Sequence, residues 1–222
     1  MRKTILLTFM LLLSVLGMQA KLTKWPDRPT KSFPYDAVVY ASLVTSNGEP
    51  VIMHDSFIGA IIGEELRSLT MGTSYTGSDG VEKMIYTIRI PVGADDANQT
   101  VKFAIGNQGA MNFEMAKTIT VSGGDQTFGM PSKPIEFVYN PLTDITIKDN
   151  LNEITVQKGE TINDYLKALV VLNPANADVD INDIDFSPGN TEVVYLTEEG
   201  ELKAIAVGST PVGFSYSGPG YA

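Results

Sequence analysis

Polar and apolar positions alternate with period two along several stretches of this chain. Lys83-Met84-Ile85-Tyr86-Thr87-Ile88-Arg89-Ile90, Val101-Lys102-Phe103-Ala104-Ile105 and Lys117-Thr118-Ile119-Thr120-Val121 all do so. Side chains on a strand point to opposite faces in turn, so this pattern predicts half-buried strands. Tyr35 to Val44 is rich in β-branched and aromatic residues, and Ser46-Asn47-Gly48-Glu49-Pro50 follows it as a hairpin turn. Ser56 to Ile62 is a further apolar run, interrupted by Gly59. Later the runs shorten: Ile145–Ile147, Glu153–Val156, Leu166–Leu172, Ile184–Phe186, Val193–Leu196, Leu202–Val207 and Val212–Tyr216. Turn residues separate them at Lys158-Gly159, Pro174, Pro188-Gly189 and Glu199-Gly200. Short strands between turn clusters predict an all-β protein built as two consecutive β-sandwich domains.

The expected organisation has four parts. Residues 1–20 carry Arg2 and Lys3, an apolar run from Ile5 to Leu16, and small residues near a cut before Lys21. This is the pattern of a cleaved signal peptide. The run is short against the ~20 residues that a membrane crossing needs. Residues 21–34, with three prolines, form an extended entry segment in which Trp25 packs on the first domain. Residues 35–140 form the N-terminal sandwich. Pro131, Pro134 and Pro141 mark its end, and residues 141–222 form the second domain.

Composition narrows the chemistry. The chain has 222 residues, 16 basic and 26 acidic, so a nucleic-acid partner, which needs clustered Lys and Arg, is not expected. Residues 142–222 concentrate the acid, with 4 basic residues against 13 acidic. No cysteine is present, which removes disulfides, thiolate metal sites and a lipid-anchored cysteine. An exported chain without cysteine points to a bacterium, where many exported domains rely on packing alone.

The second half resembles the bacterial immunoglobulin-like group 2 domain of intimin- and invasin-type surface proteins. The resemblance rests on Leu172-Asn173-Pro174-Ala175-Asn176-Ala177, Ile184-Asp185-Phe186-Ser187, Val193-Val194-Tyr195-Leu196, Glu199-Gly200-Glu201-Leu202-Lys203-Ala204 and Ala206-Val207-Gly208-Ser209-Thr210-Pro211-Val212. The family's closing strand would follow Ser217-Gly218-Pro219-Gly220, so the domain is expected to be incomplete within residues 141–222. The first half is similar to a recurrent β module of secreted gut-bacterial proteins, through Phe57-Ile58-Gly59-Ala60-Ile61-Ile62-Gly63-Glu64-Glu65-Leu66-Arg67-Ser68 and Phe128-Gly129-Met130-Pro131-Ser132-Lys133-Pro134. The module's cysteine is Leu66 here and its last glycine is Ser68. Neither resemblance implies an activity.

Candidate chemistry is sparse. The only histidine, His54, adjoins Asp55 and Ser56. Neighbours on a strand face opposite ways, so these three are not expected to converge as a triad. Glu64 and Glu65 are adjacent for the same reason, and an ion pair from Glu65 to Arg67 is expected instead of catalysis. Asp178, Asp180 and Asn182 fall at positions 1, 3 and 5 of a calcium-loop count, but position 6 is Asp183 and position 12 is Gly189. They are a weak calcium candidate on a solvated connection. Trp25, Tyr35, Tyr40, Tyr75, Tyr86 and Tyr139 are read as sheet filling before a sugar-stacking platform. The glycine-rich stretches lack the Gly-Lys-Ser/Thr of a phosphate loop.

The expected protein is therefore non-enzymatic, secreted or held at the cell surface, and needs no cofactor. It serves as an adhesive or spacer module towards a host protein or glycan. Two alternatives stay open. One is the accessory, carbohydrate-associated region of a longer glycan-degrading enzyme. The other is a surface-polymer subunit that accepts a partner's strand.

Overall fold

The computed structural model describes residues 4–8, 23–76, 80–148, 153–216 and 218. Most of the expected signal peptide therefore lies outside the described residues. Within it, strand β1 (Thr4–Thr8) is described. The chain is mostly β and divides into two compact units. The first holds Leu22–Thr143 with Asn176–Val179; the second holds Asp144–Ala175 and Asp180–Ser217, with β1. The division after Thr143 lies three residues beyond the expected one at residue 140.

The first unit contains β2 (Thr23–Lys24), β3 (Tyr35–Val44), β4 (Phe57–Ile62), β5 (Glu65–Met71), β6 (Thr73–Thr76), β7 (Glu82–Val92), β8 (Thr100–Gly106), β9 (Ala110–Thr120), β10 (Gln126–Phe128) and β11 (Ile135–Val138). One sheet runs β10-β3-β7-β6, with β11 also paired to β3; the other runs β2-β9-β8-β4-β5. β10 and β11 lie parallel to β3, whereas β3 and β7 are antiparallel.

The alternation in the sequence is the alternation of burial. Ala37, Val39, Ala41 and Leu43 of β3 turn inward, as do Met84, Tyr86, Ile88, Ile90 and Val92 of β7 and Val101, Phe103 and Ile105 of β8. These faces share one core, so the unit is a β-sandwich. Phe103 and Phe137 meet at its centre with ring centroids 4.8 Å apart. Burial of each large apolar side chain stabilises the unit by roughly 1.5–3 kcal/mol.

A smaller cluster covers the other face of the second sheet. Trp25, Ile61, Leu66 and Ala104 pack there, and the Trp25 indole N–H donates to the Asn107 carbonyl at 2.9 Å. Trp25 thus packs on the first unit as expected. Gly59 and Gly106 lie directly under the indole, where a Cβ on either would collide with the ring. Their small size is what lets the entry segment lie down on the sheet.

The second unit contains β12 (Asp144–Ile147), β13 (Glu153–Gln157), helix α1 (Asn163–Leu169), β14 (Val170–Asn173), β15 (Asp185–Pro188), β16 (Val194–Leu196), β17 (Leu202–Ala204), β18 (Ser209–Thr210) and β19 (Val212–Ser215). Its sheets are small: β12-β14, β15-β19, β16-β17 and β13-β1-β18. Ile145, Val156, Ile162, Leu166, Phe186, Val194, Leu202 and Val212 are buried.

Helix α1 corrects the expected strand over Leu166–Leu172, of which only Val170 onward is extended. Ile162 and Leu166 stand four apart and are both fully buried, which is helical spacing. Asp164 in the first turn and Lys167 in the last complement the helix dipole. The Asn163 side chain holds the start in place, accepting from Leu202 N–H at 2.6 Å and donating to Gly200 O at 3.1 Å. The β-branched pair Val170-Val171 then returns the chain to a strand.

Candidate functional site

The flagged residues of the first unit do not converge. His54 is exposed, with Nε2 3.8 Å from the Glu82 carboxylate. Asp55 is exposed as well, whereas Ser56 is buried and turned to the core. There its hydroxyl donates to Met53 O at 2.8 Å and lies 2.8 Å from the Tyr86 hydroxyl. Burial, partly offset by the Ser56 bond, pushes the Tyr86 phenol above its usual range. Glu64 sits in the β4–β5 turn and Glu65 opens β5.

The expected Glu65–Arg67 ion pair forms, at 3.0 Å, but it is the smaller part of a buried cluster. Arg67 Nη1 and Nη2 grip both oxygens of Asp96, at 3.0 and 2.9 Å. Nη1 also donates to Pro91 O at 3.1 Å, and the guanidinium lies 4.1 Å from the Phe33 ring centre. Burial pushes the Asp96 carboxyl up. The Arg67 hydrogen bonds, the Gly93 N–H and the charges of Arg67 and Lys31 together outweigh it and hold that carboxyl below its usual range. The cluster ties β5 to the end of β7 and to the short turn that carries Asp96, while the Arg67 Nε is buried without a hydrogen-bond partner among the described residues.

The aromatic residues separate. Trp25, Tyr86 and Tyr139 are buried in the first unit, Tyr40 is half-buried, and Tyr35 and Tyr75 are exposed. The weak calcium residues are each engaged by protein donors. Asp178 Oδ2 accepts from Asn140 N–H at 2.6 Å and from its side-chain amide at 3.2 Å. Asp180 Oδ1 accepts from Asn182 N–H at 2.8 Å, as the N-cap of a short helical turn. Asn182 Oδ1 accepts from Lys167 Nζ at 2.8 Å, which brings a positive charge to that oxygen. Among the described residues, no group of three or more His, Asp or Glu side chains is placed to hold a metal.

The second unit does contain a cavity, of about 490 Å³, at the start of α1. Asn163 and Lys167 of the helix line it, together with Asn182, Asp185, Phe186, Glu199 and Glu201. Amides, carboxylates and one ammonium on a partly apolar floor suit a ligand rich in hydroxyls or amides. The lining includes neither a histidine nor a serine.

Asp185 is its most unusual member. One carboxylate oxygen, Oδ2, is buried without a hydrogen-bond partner among the described residues. Burial first, then the Asp183 charge, pushes its carboxyl above the usual range. Asp183 is raised too, by burial and then by the Asp180 charge. A raised folded value means that stability is fully present below the unfolded value of about 3.9 and is lost as pH rises through the folded one. Asp185→Asn is therefore expected to raise the stability of the second unit at pH 7 by a few tenths of a kcal/mol, after discounting for solvent screening. The gain should vanish at pH 3; chemical denaturation at both pH values measures it.

Sequence reading missed Asp96 and the cavity. Asp96 lies in the short helical turn Ala94–Asp96 after β7 and meets Arg67 of β5, a strand of the other sheet, only once the unit is folded; the cavity depends on a helix read as a strand. The cue for the helix was there in Ile162 and Leu166. No helix among the described residues is long and apolar enough to cross a membrane. No family model matches the chain, and none of the curated proteins or solved structures matches it.

Proposed function

We propose that this chain is an exported, non-enzymatic modular protein of the cell surface or secretome, acting by recognition through its β units. On this reading residues 1–20 are removed on export, and the second unit is an immunoglobulin-like module of the group 2 type. What supports the module is the order of its turn and strand motifs. The reading is carried by the polar cavity at the start of α1, whose lining offers amide, carboxylate and ammonium hydrogen-bonding groups beside the Phe186 ring. Such a site suits a glycan or a polar peptide segment of a host surface protein.

A glycan array combined with a panel of extracellular-matrix proteins tests it. Saturable binding to at least one ligand is expected, weakened about tenfold by Lys167→Ala or Glu199→Ala, which is the worth of one hydrogen bond. Blank panels would reduce the protein to a spacer.

A further inference from the structure

Strand β1 is the middle strand of the β13-β1-β18 sheet. It runs antiparallel to β13 over five pairs, from Thr4↔Gln157 to Thr8↔Glu153, and parallel to β18 at Leu6↔Ser209 and Leu7↔Thr210. Among the described residues, β13 and β18 have no other strand partner. Yet Thr4–Thr8 lies inside the leader that export is expected to remove.

We propose that the lane between β13 and β18 is an acceptor for an added β-strand, taken in the exported protein by an extended segment of another polypeptide, apolar and flanked by basic residues. The proposal rests on the reading of residues 1–20 as a removed leader. Without β1, the N–H and C=O groups of two strands face an unfilled lane, and such groups seek a strand.

The lane does not readily close on itself, because both rims are pinned elsewhere. After β13, Gly159 N–H donates to Ala204 O at 2.8 Å, Ala204 N–H to Glu160 O at 3.0 Å and Ile162 N–H to Leu202 O at 2.9 Å. Beside β18, Gly189 N–H donates to Pro211 O at 2.8 Å and Asn190 N–H to the Thr210 hydroxyl at 2.7 Å. At ~4.8 Å between neighbouring strands, the opening fits one strand. The strand in the lane, Thr4-Ile5-Leu6-Leu7-Thr8, has an apolar centre, which sets the chemistry of the segment the lane accepts.

The entry segment does not fill it, since Thr23–Lys24 pairs with β9 and Trp25 is packed on the first unit. Charge selects the flanks. Residues 142–222 have nine more acidic than basic groups, and Arg2-Lys3 precedes the strand now in the lane. A basic-flanked strand is steered to such a surface.

The test uses the chain from Lys21 onward and three synthetic probes: the nonapeptide of residues 2–10, its scrambled form, and its Leu6→Pro version. The native peptide is expected to bind saturably and to raise the melting temperature of the second unit by several degrees at saturation. Hydrogen exchange at Ile154–Val156 should slow at least tenfold, while β3 and β7 amides stay unchanged. The Leu6→Pro peptide, which lacks one strand N–H, should do neither.

If the second unit is unfolded alone, folding on addition of the native peptide supports the lane, and no folding overturns it. Equal effects from the scrambled peptide overturn it, as does unchanged exchange at β13. An exported protein whose mass still includes Met1 overturns it, because the chain's own segment then keeps the place. Concentration-dependent protection of β13 without peptide overturns the foreign donor in favour of a second copy. Blank glycan and matrix panels leave these outcomes untouched and count only against the recognition reading.

Discussion

Arg67→Ala is expected to destabilise the first unit by about 3–5 kcal/mol, the usual penalty for breaking a buried ion pair from one side. The Arg67 side chain is 3% exposed and that of Asp96 is 7% exposed, so removal of the guanidinium leaves a buried carboxylate without its bidentate partner. The 4.1 Å stack on Phe33 is lost as well. Asp96→Ala should cost a similar amount. The paired replacement Arg67→Met with Asp96→Leu should cost far less than the sum, because no buried charge is left behind. Trp25, the only tryptophan, lies in the first unit and reports on it by fluorescence during denaturant unfolding.

The same pair sets an acid limit. Asp96 titrates below its usual range when folded, so its contribution is present above the unfolded value of about 3.9. It is lost as pH falls through the lower folded value. Asp183 and Asp185 act in the opposite sense in the second unit. Acid titration should therefore unfold the first unit through Asp96 while these two carboxyls favour the second.

Phe103→Ala is the second large effect, at about 3–5 kcal/mol. Phe103 is fully buried on β8, and its ring meets Phe137 of β11 across the core. A sandwich held by strands from both sheets cannot collapse into the vacated space without breaking ladders, so the loss should lie at the upper end. Phe103→Leu should recover most of it. Unfolding followed through Trp25 measures both, and an Ala variant within about 1 kcal/mol of the parent would show that the two sheets do not share this core.

The legible part of this protein was its period-two pattern. Lys83–Ile90 and Val101–Ile105 alternate because one face of each strand is buried and the other is wet, a local rule that needs no partner. The Glu65–Arg67 contact was legible for the same reason, being two residues apart on one strand. Asp96 was not. It lies 29 residues from Arg67, in the turn after a strand of the other sheet, and only the folded sandwich brings them together. Leu166–Leu172 failed differently: its apolar run was read as one strand, whereas the part up to Leu169 belongs to α1 and only Val170 onward is extended. The cavity followed the helix out of view. The lane between β13 and β18 depends on a strand drawn from residues 4–8, which the leader pattern had set aside from the fold.

On the proposed function, the chain would recognise a ligand and leave it unchanged. The most direct measurement incubates the exported protein with a ligand from the glycan or matrix panel and follows that ligand by mass spectrometry. Recovery of the intact ligand after many binding lifetimes is the predicted result. Any product that accumulates with the parent would contradict it, and its loss with Asp185→Asn or Glu199→Gln would place the chemistry in the cavity.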